Sequence, residues 1–85
     1  MEYNGYSNRD TWLVMLWLNN SQRNYTGVQH LVQGVGMSYN IKTIPTDKLR
    51  DHLKRYNYGD KINWDNVNIE EIRNTIIEDF SEEVQ

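Results

Sequence analysis

The run TWLVMLWLNN, Thr11 to Asn20, places seven consecutive apolar residues, Trp12 to Leu18, in an otherwise polar chain. In an α-helix, at about 100° per residue, these side chains point to every side of the axis. A helix that is apolar all round is a buried helix. Thr, Val and Trp also suit strands, and a run this short is not settled by periodicity alone. Ser7 three residues before Asp10, Asn8 as an alternative cap, and the polar exit NNSQRN favour a helix over residues 7–20.

Three further segments carry one-sided stripes. In TGVQHLVQGV, Val28, Leu31, Val32 and Val35 fall at i, i+3, i+4 and i+7, with Asn24 or Thr26 as cap and Gly34 and Gly36 as terminators. This predicts a helix over 26–35. MSYNIKT, residues 37–43, alternates larger and smaller residues and reads as an ordered loop or a short edge strand. Thr46 after Pro45 is a suitable N-cap for a helix over 46–57 with Leu49, Leu53 and Tyr56 inward. Asn68 and Glu71 form a capping-box variant ahead of Ile69, Ile72, Ile76 and Phe80, a helix over 68–80. Three one-sided helices enclosing a fully apolar one give an all-α, compact four-helix domain around a central first helix. Residues 81–85 are expected to be a frayed acidic tail, because acids at a helix C-terminus oppose its dipole.

Eighty-five residues suit one domain with a small core. Mean hydropathy is −0.84, yet the apolar residues are clustered, which favours a folded core over disorder. The absence of cysteine excludes disulfides and thiolate metal sites. The opening MEYNGYSNRD lacks the basic start of a secretory signal, and seven apolar residues fall short of the roughly 20 a membrane-spanning helix needs. A cytoplasmic protein is the expectation. Charge is uneven: +3 over residues 1–58 and −6 over 59–85.

The stretch NGYSNRDTWLVMLWLNN resembles the opening of a family of small proteins of phages, plasmids and bacteria. Their pattern runs roughly Asn-Gly-(Trp/Tyr)-x-Asn-x-(Glu/Asp)-Thr-Trp-x-Val-x-Leu-Trp-(Leu/Ile)-x-Asn. Asn4, Gly5, Tyr6, Asn8, Asp10, Thr11, Trp12, Val14, Leu16, Trp17, Leu18 and Asn20 fill it. KINWDNVNIEEIRNTII is similar to the family's closing segment, but has four extra residues between Trp64 and the Glu71-Ile72 pair, and Arg73 where the family has Ala. The resemblance implies a small soluble protein of mobile-element origin with a helical opening. It supplies no catalytic residues.

Chemistry finds little support in the residues. His30 and His52 lack the spacing of a zinc site. DKINWDNVNIEE has Ile62, Trp64 and Asp65 where a calcium loop needs oxygen ligands and a glycine. GVGMSYN lacks the lysine and spacing of a phosphate loop, and no serine sits in a nucleophile elbow. No catalytic, cofactor-binding or metal residue is expected. Two contact surfaces remain. Trp12, Trp17 and Tyr6, with the acidic Glu78, Asp79, Glu82 and Glu83, are candidates for a protein interface. Lys48, Arg50, Lys54 and Arg55, with Tyr58, are candidates for nucleic-acid contact, although Asp47 and Asp51 interrupt them. The expectation is a non-catalytic mobile-element accessory protein, monomer or homodimer, that binds a host or self protein. The alternative is a small nucleic-acid-binding accessory protein using the basic third helix.

Overall fold

The computed structural model describes residues 3–81. It contains α1 (Arg9–Asn20), α2 (Gln22–Gln33), α3 (Thr46–Leu53) and α4 (Ile69–Ser81), folded to a radius of gyration of 12.1 Å. The all-α class and the four helices agree with the sequence reading. The tail from residue 82, including Glu82 and Glu83, lies outside the described residues.

Asn8 caps α1: its Oδ1 accepts from the Thr11 N–H at 2.9 Å. A single non-helical residue, Ser21, separates α1 from α2. Its extended ψ of 119° breaks the ladder, and its Oγ accepts from the Asn24 N–H at 3.3 Å. α2 thus starts four residues earlier than its apolar stripe suggested. Asn24 is not the cap. It is buried inside the helix, and its amide donates to the carbonyls of Trp17 and Asn57. At the other end Gly34, at φ 72°, and Val35 donate back to Leu31 and His30, the Schellman arrangement that only a left-handed residue allows cheaply.

Residues 37–43 form no strand. Asn40 Oδ1 accepts from the backbone of Lys42 and Thr43, while Thr43 Oγ1 accepts from the Asn40 N–H, folding the segment into a side-chain-stapled turn. The turn drives Ile41 and Ile44 into the core.

α3 is shorter than its stripe. After Leu53 the chain tightens into i→i+3 bonds, and the Tyr58 hydroxyl takes the Leu53 carbonyl at 2.8 Å. Thr46 makes no cap. Pro45 occupies that position, and the Thr46 hydroxyl donates to Glu70 on α4. Asn68 does cap α4, accepting from the Glu71 N–H at 3.1 Å.

The centre of the domain is α4. It packs against all three other helices, whereas α3 packs against α4 alone and α1 against α2 and α4. Ile72, Ile76 and Phe80 meet Val14, Met15 and Leu18 of α1, Val28 and Leu31 of α2, and Leu49 and Leu53 of α3 in one buried cluster. The expected central position of α1 is therefore corrected. Its circumference is covered on two sides by helices and elsewhere by loops. The Tyr3 ring lies 5.0 Å from that of Trp12. Trp17 presses on Gly59 so closely that a Cβ there would fall 2.1 Å from a ring carbon. A side chain on every face of a helix needs cover, and a loop supplies it as well as a helix does.

Candidate functional site

Two gatherings of polar side chains each lie beside a surface recess. The first is where the start of α1 meets the loop entering α4. Asn8 Nδ2 donates to the Asn66 carbonyl at 2.7 Å. Asp10 accepts from the Asn63 N–H at 3.1 Å and the Asn66 amide at 3.3 Å. The buried Thr11 Oγ1 accepts from the Asn68 N–H at 2.9 Å, and Glu71 accepts from the Ser7 N–H at 3.1 Å. In a full capping box Glu71 would reach back to Asn68. Here Thr11 takes that N–H, so the two helix starts cap each other. A shallow recess beside this clasp is walled by Asp10, Lys61, Ile62, Asn63, Trp64 and Asp65, and the Asp10 carboxylate in it is already engaged by Asn63 and Asn66. These residues hold the fold.

The second place is a recess of about 380 Å³ between α3 and residues 36–39. Lys48, Asp51, His52 and Arg55 stand at i, i+3, i+4 and i+7, one face of α3 and its exit, roughly opposite the buried Leu49 and Leu53. Gly36, Met37, Ser38 and Tyr39 form the facing wall. Gly34 and Gly36, both at positive φ, turn the chain out of α2 to make it. Among the described residues, the side chains of Lys48, Asp51 and Arg55 make no hydrogen bond or ion pair. His52 is held: its Nε2 shares a 2.7 Å hydrogen bond with the Tyr56 hydroxyl, the rings meeting edge to face. Burial, and then the nearby Arg55 charge, push the His52 pKa below its ordinary 6.5, which keeps the ring neutral at pH 7. Burial pushes Tyr56 up to about 12, so it remains a hydroxyl. Such a wall offers two fixed cations, one carboxylate and a tyrosine and methionine surface, a set suited to recognition.

The residues singled out in the sequence divide accordingly. Lys48 and Arg55 share the recess. Arg50 lies on the opposite flank of α3, its Nε buried without a partner, and Lys54 is exposed just past the helix end. Tyr58 is not available as a stacking platform. Its hydroxyl is bonded to Leu53 and its ring meets Trp64 edge to face at 5.5 Å. Trp12 and Trp17 are half-buried, Trp12 under Tyr3 and Trp17 donating Nε1 to Asp60 at 3.0 Å. Tyr6 is half-buried and bridged to Tyr3. Glu78 and Asp79 are exposed on α4. His52 carries no ligand spacing in the sequence, and Met37 and Tyr39 of the recess are not among the candidates the sequence offers. Their approach to α3 is a tertiary event with no local spacing to betray it. Among the described residues no group of His, Asp and Glu could hold a metal ion.

One family model matches the chain over residues 1–84. The protein belongs to DUF7249, a family of unknown function. No curated protein and no solved structure matches it. DUF7249 membership assigns no chemistry to any residue, so the α3 recess rests on geometry alone. No helix among the described residues of this DUF7249 chain is long and apolar enough to cross a membrane.

Proposed function

We propose that this protein acts without catalysis, by binding another protein, as an accessory factor of a phage or other mobile element that modulates its host. The mobile-element part rests on the resemblance of residues 4–20. The binding part rests on one observation, the α3 recess. Its unpaired Lys48 and Arg55 stand beside Met37 and Tyr39, and Arg, Met and Tyr are the residues enriched in protein interfaces. The contact surface moves with it, from Trp12 and Trp17, which serve internal packing, to α3. Nucleic-acid binding is less well supported: Asp51 sits between the two cations, and Tyr58 is committed inside.

Affinity capture from host lysate tests this. Ser38 is exposed on the recess wall, so Ser38→Trp fills the recess and leaves the core alone. Protein partners should resist nuclease treatment and be lost with Ser38→Trp. Nuclease-sensitive capture, or capture indifferent to Ser38→Trp, overturns the reading.

A further inference from the structure

We propose that the recess recognises a single carboxylate, an Asp or Glu side chain on an extended segment of the partner protein, seated between Lys48 and Arg55. This rests on the protein-binding reading and names the chemistry of the partner. The argument is one of charge and shape. Lys48 and Arg55 are both exposed, and among the described residues neither is ion-paired. They stand about two turns apart on the side of α3 and its exit that faces a concave wall, and their long side chains can converge on one anion from the two ends of the recess. Asp51 stands in the same recess and cancels one of the two charges. The remaining single positive charge matches one carboxylate and is a poor match for a dianionic phosphate, whose extra charge Asp51 repels. The Arg55 guanidinium forms paired bonds to a carboxylate, and Lys48 adds a point charge. Met37 and Tyr39, both half-buried on the opposite wall, give the residue beside the acid an apolar seat. A partner segment with an acid flanked by an apolar residue fits this surface.

The test uses the whole chain labelled with ¹⁵N, titrated with a blocked peptide of sequence Gly-Phe-Glu-Leu-Gly and with the same peptide carrying Gln for Glu. The expected result is a set of amide shifts confined to residues 36–39 and 48–55. Affinity should fall about fivefold for the Gln peptide, for Lys48→Gln and for Arg55→Gln, as expected for partly exposed ion pairs. It should fall further between about 0.05 and 0.3 M salt, as the Debye length shortens. Equal binding of the two peptides, no shifts at millimolar peptide, or shifts elsewhere overturn the proposal. Inorganic phosphate or oligothymidylate shifting the same amides more strongly than the Glu peptide also overturns it, in favour of a phosphate site. Lysate capture separates the two readings. If capture is lost with Ser38→Trp but unchanged in Lys48→Gln and Arg55→Gln, the recess remains the interface and the carboxylate preference falls alone.

Discussion

The α1–α4 clasp and the α3 recess are both rich in polar side chains, and they differ in what those side chains are doing. In the clasp Asn8, Asp10, Thr11 and Glu71 are all hydrogen-bonded to the chain itself. In the recess Lys48, Asp51 and Arg55 have no such partner among the described residues. A satisfied polar group stabilises the fold. An exposed charged one in a concavity is held by water, which an arriving ligand can displace. Motif-like residues are easily taken for a binding site. Here the motif-like residues at the start of α1 bond to the chain itself, and the basic face of α3 borders the open recess.

Substitutions at the two regions should therefore separate stability from binding. The largest stability loss is expected from Thr11→Val, which keeps the shape and leaves the Asn68 N–H without its acceptor. Chemical denaturation should show a loss of about 1–3 kcal/mol with unchanged m-value. A loss below about 0.5 kcal/mol would mean that water replaces the hydroxyl, and the clasp would count as surface decoration. Asp10→Asn weakens two charge-assisted bonds and removes a favourable first-turn charge, for about 1 kcal/mol. Amide exchange at Asn63 should quicken alongside, and if it does not, the Asp10–Asn63 bond is not part of the clasp. His52 contributes a pH dependence. Its folded pKa is lowered, so as pH falls the unfolded chain takes up the proton first. Stability is full above the unfolded value of about 6.5 and declines as pH drops from there toward the folded pKa. His52→Gln should flatten that decline in urea midpoints measured between pH 7.5 and 5. Glu70, whose carboxyl Arg73 and Thr46 hold low, acts only in the more acidic window below its ordinary 4.5. The smallest stability effect belongs to the recess: Lys48→Gln and Arg55→Gln should shift stability by less than about 0.5 kcal/mol. A larger loss would show that these cations support the fold and would erase the contrast.

Much of the architecture is legible in the residues, and the misses have physical causes. The α4 cap at Asn68 and the glycine exit of α2 were readable because each depends on a few neighbouring residues. Ser21 was hidden because one residue suffices to turn a corner when its hydroxyl and backbone serve both helices. The alternation of Met37, Tyr39 and Ile41 left an ordered loop and a short edge strand open, and the Asn40 side chain decides for the loop by competing for the same backbone groups. The ring of apolar residues on α1 correctly signalled burial. It could not say what does the covering, because Gly59 offers space to Trp17 without any hydrophobicity of its own. Asn8 and Asp10 read as local helix-entry residues, and Thr11 carries no separate signal. Their bonds to residues 63–68 are long-range, and nothing in the spacing shows them. For the same reason only the α3 side of the recess, Lys48 and Arg55, is legible in the sequence, while the approach of residues 36–39 has no signature.

The placement of the hub at α4 has a consequence for synthesis. Residues 69–81 join two parts that share no helix contact otherwise: the α1–α2 pair, and α3, which touches neither of them. A growing chain emerging from the ribosome thus has two helices in a corner and a third with nothing to lean on. Until Ile72, Ile76 and Phe80 clear the exit tunnel there is no common interior to collapse around. Folding as one unit consequently waits for residues 69–81, and a chain built this way relies on quick closure, not on stepwise assembly, to escape aggregation.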